Sequence, residues 1–335
     1  MTMNLHATRE DYPGYEQVVS FHDDDGFQCF IALHNTKRGP AVGGCRLKPY
    51  LSSADALLDS LRLAKSMTYK SSIAGLDLGG GKCIVMADRA TPDIMHKVGE
   101  AVNYFGGDYI TAEDIGTTLA DIELAGEITK HVVHVDGSRM TARGVLVSMM
   151  AAALYCGEWG DSLDGVAIWV QGLGKVGLPL ALSLVNLEYP NVYVSDLRED
   201  RVTQACAAGA YAMVEADKKF MSIYAPCAMG QVITPSNVHS LRYTIICGAA
   251  NNQLADDSYA KLLHDNRVIF CPDFLVNGGG VISAACEIGQ PYDQQRCEAM
   301  TEHLGVRLLE VFDMAKRERI TPLAAANRLA EEGIE

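Results

Sequence analysis

The sequence predicts an α/β protein with two domains. Its 335 residues exceed the roughly 100 to 200 residues of a typical domain. Apolar, strand-like runs alternate with segments of helical periodicity along the chain. In the second half these runs are continuously apolar, which is typical of parallel strands covered on both faces. The length and these patterns together indicate two domains with a cleft between them.

The composition excludes several classes of function. The formal charge of −14 opposes binding to nucleic acid or to anionic membranes, which needs basic surfaces. No basic and apolar leader and no run of 18 apolar residues is found, so we expect a cytoplasmic protein. The ten cysteines include no CxxC pair, which favours reduced, buried thiols over disulfides or zinc. No metal site is predicted.

The first third begins with two predicted strands, YEQVVSF and CFIALHN, and a glycine-bearing loop, TKRGPAVGGCR. The segment SSADALLDSLRLAKSMTYK follows, and its apolar residues recur at helical intervals. The spacing of Ser52 and Asp55 resembles a capping box at its start. The elements predicted next are a strand CIVMAD, a helix PDIMHKVGEAVNYF, a strand DYITAED and a helix TTLADIELAGEI.

From about residue 140 the alternation becomes more regular. The helix TARGVLVSMMAAALYC leads into GVAIWVQGLGKVGLPLALSLVNL. The strand NVYVSDL and a helix near REDRVTQACAAG come next. The remaining predicted strands are YAPCA, YTIICGAA and VIFCPD. No internal repeat at a fixed period is found.

A dinucleotide site is predicted at Gly172, Gly174 and Gly177, which form a GxGxxG motif. The motif follows the apolar run VAIWV and opens a helix, and Asp196 ends the next strand 24 positions after Gly172. Glycines there permit a tight turn, the helix N-terminus attracts pyrophosphate, and the acid can accept hydrogen bonds from ribose hydroxyls. This arrangement indicates a Rossmann domain.

The residue Asp196 also bears on the choice of coenzyme. Its carboxylate would repel the 2′-phosphate of NADP, so we expect NAD. Arg198 could instead partner that phosphate. A solvated loop cation is the preferred interpretation of Arg198.

The stretch LGGGKCIV places Lys82 directly after three glycines. A phosphate-binding loop would need GxxxxGK[ST], but Leu76 stands at the first glycine position and Cys83 replaces the hydroxyl residue. Glycines raise the entropy cost of ordering the segment, which indicates that another group approaches this backbone closely. The pattern leaves open what that group is.

Two further charged residues are expected near Lys82. Lys70 ends the preceding helix, and Asp114 ends the strand DYITAED. In a single α/β layer the three would lie close together. Two ammonium groups in a partly dry cleft lower each other's pKa, so that one of them can act as a general base. Ordinary solvated charges are the alternative.

The GxGxxG motif and the segments around Lys82 and Asp114 belong to a longer series of motifs. GPAVGGCRLKPY, SMTYKSSIAGLDLGGGKCIV, YITAEDIGTT, QGLGKVG, APCAMGQVI, GAANNQL and CPDFLVNGGGVISAACE occur in this order over nearly the whole chain. The series resembles the amino acid dehydrogenases of the leucine, phenylalanine, valine and glutamate group, and the leucine and phenylalanine branch most. The resemblance implies a substrate and oligomerisation domain at 1–139, rejoined by about 318–335, and an NAD-binding Rossmann domain at 140–317, with the active site in the cleft.

The resemblance also implies roles for the charged residues. Lys70 would bind the substrate carboxylate and Lys82 would activate the hydrolytic water. Asp114 would carry a proton to and from the substrate nitrogen. Other residues implied in substrate binding, by the backbone or by a mostly apolar side-chain pocket, are Gly43, Gly44, Val42, Met67, Ala112, Val133, Asn252, Val281 and Ala284. The implied coenzyme residues are Gly172, Leu173, Gly174, Lys175, Val176, Gly177, Asp196, Leu197, Arg198, Thr141, Cys227, Ala228, Ala249, Asn251 and Asn277.

The implied activity is NAD-dependent, reversible oxidative deamination of a hydrophobic L-amino acid, with the leucine, valine and isoleucine class favoured. Val133 and Ala284 differ from the residues usual in leucine enzymes, and the smaller Ala284 would enlarge the pocket. Phenylalanine and tryptophan therefore stay open, as does a regulatory NAD-binding protein without activity. The chain ends without the helical tail of ring-forming leucine enzymes, which indicates a homodimer rather than an octamer.

Overall fold

The computed structural model describes residues 5–159, 163–187 and 191–334, and the chain divides into two compact units. The first unit comprises Met1–Asp136, Ser283–Asp293 and Ala330–Glu335. The second comprises Gly137–Ile282 and Gln294–Leu329. The sequence-based division at residues 139 and 140 stays a prediction. It did not anticipate that a segment after residue 282 returns to the first unit.

The first unit is built on a six-stranded sheet with three helices. Its strands, in chain order, are His6–Glu10 (β1), Gln17–His22 (β2), Gln28–Asn35 (β3), Ala41–Lys48 (β4), Gly79–Met86 (β5) and Tyr109–Glu113 (β6). Its helices are Ser53–Ile73 (α1), Pro92–Asn103 (α2) and Leu119–Gly126 (α3). All three helices begin where a Ser or Thr side chain accepts a backbone N–H of the first turn.

The strands of the first unit lie in the order β1-β2-β3-β5-β4-β6. The pairs β1/β2, β2/β3 and β3/β5 are antiparallel, whereas β4 is parallel to both β5 and β6. The parallel strands are joined through α1 and α2, which is why their carboxyl ends lie at the same edge of the sheet. Strand β4 lies between β5 and β6, so side chains from all three strands can meet on one face of the sheet.

One predicted element of this unit was wrong. The segment that contains Gly43 and Gly44 was expected to be a loop, but it forms most of strand β4. The strand pairs on both sides, because Gly43 is opposite Thr111 of β6 and Val42 is opposite Gly80 of β5. Pairing on both edges satisfies the backbone of a glycine-rich segment that local propensity would assign to a loop.

The second unit holds another six-stranded sheet. Its first elements are Ser138–Cys156 (α4), Ile168–Gln171 (β7), Gly177–Asn186 (α5), Val192–Ser195 (β8), Glu199–Ala207 (α6), Tyr211–Ala212 (β9), a 3₁₀ helix at Glu215–Phe220 and Ile223–Pro226 (β10). They are followed by Ile245–Ile246 (β11), Tyr259–Asp265 (α7), Ile269–Phe270 (β12) and Asp273–Val276 (α8). Gln294–Glu318 (α10) packs against α4, and two helices, Gly279–Glu287 (α9) and Pro322–Glu332 (α11), run across the division between the units. No helix in the described part of the chain is long and apolar enough to cross a membrane.

The sheet of the second unit has the order β9-β8-β7-β10-β11-β12, and each of these pairs is parallel. The chain starts at the centre with β7, moves outward to β9, and then crosses to β10 on the other side of β7. This is the strand order of a Rossmann domain, in which a ligand binds beyond the carboxyl ends of the strands where the order reverses. The predicted α/β class and the parallel sheet are thus confirmed.

Candidate active site

A buried ion pair joins Lys82, in the middle of β5, to Asp114, which directly follows β6. Lys82 Nζ lies 2.6 Å from Oδ2 of Asp114. The Nε of Arg46, which projects from β4, donates to the same oxygen at 2.9 Å. The side chain of Lys82 is only 6% exposed, and that of Asp114 is 23% exposed. One partly buried carboxylate therefore contacts two cations.

The surroundings of Asp114 keep it ionised. Burial alone would raise the pKa of this carboxyl, because a low-dielectric environment disfavours charge. The charges of Lys82 and Arg46, and the hydrogen bonds that both donate, outweigh burial and hold the pKa well below its usual range. Asp114 therefore carries a negative charge throughout the range in which proteins function.

Glycines in β4 allow the strands to bring these groups together. A Cβ at Gly43 would overlap the carbonyl oxygen of Gly81 in β5. A Cβ at Gly44 would lie 2.6 Å from the carbonyl oxygen of Glu113 and 2.8 Å from Cβ of Asp114. Any other residue at either position would push the neighbouring strand away. Thus Gly44 fixes the backbone that carries Asp114.

The glycines before Lys82 begin strand β5. A Cβ at Gly80 would overlap the backbone nitrogen and Oγ1 of Thr68 in α1. Close approach was therefore correctly expected, but the approaching group is the helix of the same unit. The glycine at position 80 allows α1 to rest directly on the strand that carries Lys82.

The last turn of α1 carries Lys70 and follows Met67. It is attached to β5, since Ser71 Oγ donates to the carbonyl oxygen of Gly79 at 3.3 Å. Both Lys70 and Met67 are half-buried. Lys70 thus lies on the helix that contacts the strand of Lys82, and its carboxylate-binding role is a proposal.

The residues predicted to line a side-chain pocket are divided between the units. Val42, Ala112, Val133 and Ala284 belong to the first unit, and Val281 belongs to the second. Val133 lies beside β6, because its N–H donates to the carbonyl oxygen of Thr111 at 2.9 Å. Apart from the half-buried Ala112, these side chains are buried. The set is apolar throughout.

In the second unit the GxGxxG motif connects β7 to α5. Gly172 has a φ of 94°, and a Cβ there would lie 2.6 Å from Cβ of Ala228. A Cβ at Gly177 would overlap the carbonyl oxygen of Gly172. At Gly174 nothing lies within 4 Å of that position. The first and third glycines are therefore needed for the turn itself, and the second leaves open space above the helix start, beside Lys175 and Val176.

The acid after β8 stabilises this turn. Oδ2 of Asp196 accepts the N–H of Leu173 at 2.6 Å, and Oδ1 accepts the N–H of Arg198 at 2.8 Å. Burial would raise the pKa of Asp196, but these hydrogen bonds and the nearby arginines lower it. The side chain of Arg198 pairs with Asp200 at 2.6 Å, and Leu197 is fully exposed.

The buried amide of Asn277 lies at the end of α8. Its Nδ2 donates to the carbonyl oxygen of Ala249 at 3.1 Å and to Oδ1 of Asn251 at 2.8 Å. Its own Oδ1 is buried, and no group in the described chain donates to it. A buried acceptor without a donor costs free energy. The carboxamide of a nicotinamide could supply that donor, so this site fits the predicted coenzyme.

Asn252, which was predicted to bind substrate, lies on the same unit and has a φ of 51°, in the left-handed region that asparagine tolerates. Two predicted coenzyme residues lie there as well. Cys227 follows β10, and burial raises its pKa to about 12. Thr141, in the first turn of α4, donates its hydroxyl to the carbonyl oxygen of Gly137 at 2.9 Å. Their contact with a coenzyme is a proposal.

Three residues of the first unit were not predicted from the sequence. They are Arg46, Asp59 and Tyr50, which form a hydrogen-bonded chain behind Asp114. Arg46 occurs in the quoted segment GPAVGGCRLKPY, but no local pattern indicates its partners. Asp59 lies on α1, 55 positions before Asp114, and a contact over that separation needs the tertiary structure.

The second unit has the parallel sheet of a dinucleotide-binding domain, and the first has a buried pair of a lysine and a carboxylate. These are the parts of a nicotinamide-dependent dehydrogenase. The model of the Glu/Leu/Phe/Val dehydrogenase dimerisation domain matches residues 15–131. The model of the Glutamate/Leucine/Phenylalanine/Valine dehydrogenase domain matches residues 200–332. The chain belongs to this family and is an amino acid dehydrogenase, as its motifs predicted. Enzymes of the family are NAD(P)-dependent.

Individual relatives cover nearly the whole chain. A leucine dehydrogenase of Thermoactinomyces intermedius is 36% identical over 337 residues, covering 96% of this chain and 91% of the relative. A valine dehydrogenase of Streptomyces coelicolor is 38% identical over 343 residues, covering 96% and 93%. Among solved structures, L-tryptophan dehydrogenase from Nostoc punctiforme has a TM-score of 0.84 and 34% identity, covering 96% of this chain and 97% of that one.

The close packing at Gly44 predicts a specific effect on activity. In Gly44→Ala the new methyl group must push β6 away from β4, because it would lie within 2.8 Å of Cβ of Asp114. A displacement of about 1 Å at a catalytic group can cost about 100-fold in rate. We expect a loss of kcat/KM of that size. The measurement is steady-state kinetics on the purified, folded variant.

The matched control is Gly126→Ala in α3 of the same unit. Its Cβ would lie 3.3 Å from the nearest atom, which belongs to the side chain of His134. Alanine also suits a helix better than glycine. We expect near-normal kinetics for this control. Equal activity in the two variants would show that Gly44 does not position Asp114.

Proposed function

We propose that the protein catalyses the NAD-dependent, reversible oxidative deamination of a hydrophobic L-amino acid to the 2-oxo acid and ammonia. The observation that supports this best is the buried contact of 2.6 Å between Lys82 and Asp114. This reaction needs an amine to activate water and a carboxylate to exchange a proton with nitrogen. The contact provides both within one hydrogen bond, so a proton can pass directly between them.

Three charged residues divide the work in this proposal. Lys70, on the last turn of α1, binds the substrate carboxylate as a permanent cation. Lys82 takes a proton from the water that attacks the imine carbon. Asp114 gives a proton to the departing nitrogen, or receives one from it in the reverse direction. Because Lys82 is 6% exposed, the attacking water would be isolated from bulk solvent.

The coenzyme that we propose is NAD, bound at the carboxyl ends of β7 and β10. It supplies one chemical capacity, the acceptance of hydride from the α-carbon. Gly174 leaves room for the pyrophosphate, and the unpaired Oδ1 of Asn277 can accept a hydrogen bond from the carboxamide. Asp196 would repel a 2′-phosphate. Arg198 is already paired with Asp200, which supports NAD over NADP.

A hydrophobic substrate is supported by the side chains of the proposed pocket. In the first unit the predicted pocket residues Val42, Val133 and Ala284 are apolar and at most 6% exposed, so none of them would pair with a charged side chain. The similarity to relatives named leucine dehydrogenase and valine dehydrogenase supports a branched aliphatic substrate for this protein. The tryptophan dehydrogenase structure makes aromatic amino acids the second candidate.

A homodimer is also proposed, in accordance with the family's dimerisation domain, and light scattering would measure its mass.

A substrate panel tests this function. NADH or NADPH formation is followed at 340 nm with each of the twenty L-amino acids and with either coenzyme. We expect the largest kcat/KM with NAD and leucine, valine or isoleucine. Apolar pockets separate substrates that differ by one methylene by only about 1 to 3 kcal/mol, so related amino acids should react more slowly rather than not at all. Absence of NADH with every hydrophobic amino acid would refute the proposal, and a preference for tryptophan or phenylalanine would select the second candidate.

Substitution of the two lysines should affect different kinetic constants. Lys70→Ala removes a charge that contacts the ground state, so mainly KM should rise. Lys82→Ala removes the group that activates water, so mainly kcat should fall, by about 100-fold or more. The measurement is kcat and KM for oxidative deamination, with thermal unfolding to confirm the fold. Near-normal kcat in a folded Lys82→Ala variant would contradict the assignment of Lys82 as the group that activates water. The control is Lys261→Ala, at an exposed ion pair, which should leave both constants unchanged.

A further inference from the structure

A chain of hydrogen bonds continues from Asp114 away from the proposed reaction site. Arg46 donates from Nε to Oδ2 of Asp114 at 2.9 Å and from Nη1 to Oδ2 of Asp59 at 3.2 Å. Its side chain is 14% exposed. A guanidinium has donors in a rigid, planar fork. Contacts with two carboxylates therefore fix both the position and the rotation of Arg46.

The second carboxylate is itself held firmly. Asp59 lies on α1 and is 12% exposed. Its Oδ2 accepts the hydroxyl of Tyr50 at 2.7 Å, and its Oδ1 accepts Nη2 of Arg62 at 2.9 Å. Burial would raise the pKa of Asp59, but these hydrogen bonds and the arginine charges lower it. Asp59 is thus an ionised, fixed anchor for Arg46.

Both cations that contact Asp114 use the same oxygen. Lys82 and Arg46 contact Oδ2, and no side chain of the described chain contacts Oδ1. We propose that Arg46 is a positioning residue that holds Oδ2 of Asp114 and thereby reserves Oδ1 as the oxygen that exchanges a proton with the substrate nitrogen. The expected effect of Arg46 on turnover rests on the proposed function. Its effect on the position and ionisation of Asp114 does not rest on that function.

The need for Arg46 follows from the proposed role of Lys82. When Lys82 has given up its proton to serve as a base, it is neutral and no longer compensates the charge of Asp114. Arg46 is then the one cation in the described chain that still contacts Asp114. Because a guanidinium stays protonated under all conditions of function, it would keep Oδ2 fixed and Asp114 ionised during that step.

Among the described residues, Lys82 and Arg46 are the charged groups that lower the pKa of Asp114 most. Lys82 faces it from β5 and Arg46 faces it from β4. The buried thiol of Cys45 precedes Arg46, and its pKa is raised well above the usual value by its hydrogen bond with Cys83 and by burial. Tyr50 lies beyond Asp59, and burial raises its pKa far above the usual value. Neither group changes charge near neutral pH, so Lys82 and Arg46 control the ionisation of Asp114.

Direct titration of Asp114 tests the proposal without any substrate. The protein is labelled with ¹³C at aspartate carboxyls, and the resonance of Asp114 is identified by its absence in Asp114→Asn. In the native protein we expect it to stay ionised to the lowest pH at which the fold persists. Loss of a contacting arginine should raise the pKa of an aspartate by about 1 to 3 units. We expect that shift in Arg46→Gln.

The matched control is Arg62→Gln. Arg62 contacts Asp59 but not Asp114, and its side chain is 62% exposed. Its removal should leave the titration of Asp114 unchanged within error. If Arg46→Gln does not fold, Arg46→Lys is used instead. Lysine keeps the charge but has no planar fork that could contact both carboxylates, so a smaller upward shift is expected. An unchanged midpoint for Asp114 in a folded Arg46 variant would overturn the proposal.

The pH dependence of kcat/KM then tests the consequence for catalysis. A raised pKa of Asp114 means that it becomes protonated at a higher pH, so the acid limb of the profile should lie at a higher pH in Arg46→Gln than in the native protein. A purely structural role would lower the thermal midpoint and leave the limb in place. If the native protein deaminates no amino acid, the proposed function fails, but the titration still decides the role of Arg46.

Discussion

The shared carboxylate of Asp114 is the interaction on which the first unit depends. Two cations contact its Oδ2 within 2.9 Å, and such an arrangement is stable only if the three groups are held at short range in a dry place. Removing one member of a buried pair leaves an uncompensated charge and costs about 3 to 5 kcal/mol. The backbone segments that carry these three groups must therefore lie close to one another.

The glycine-rich strands provide this approach. In β4, Gly43 and Gly44 admit the neighbouring strands, and in β5, Gly80 admits α1. These glycines thus have two effects. They allow Lys82 and Asp114 to meet at 2.6 Å across β4, and they allow the helix that carries both Lys70 and Asp59 to pack on β5. The chemistry of the site and the packing of the unit have the same structural cause.

The features that were predictable from the sequence are those with a local signal. The cap of α1 at Ser52, the turn at Gly172 and the acid at Asp196 are each encoded within a short segment, and the structure contains them. The interpretation of β4 as a loop failed because glycine has low strand propensity, while pairing on both edges outweighs propensity. Arg46 was missed because its role depends on two carboxylates that are distant in sequence. The family resemblance identified the charged residues, but contact distances required the structure.

We propose that Lys82 and Asp114 act together as one catalytic pair. A double-mutant cycle on kcat/KM measures this directly, with Lys82→Ala, Asp114→Ala and the double variant assayed on the preferred amino acid. Residues that act together are strongly non-additive. The double variant should lose little more activity than the worse single variant. Losses that multiply, so that the double variant shows the product of the two single effects, would contradict it.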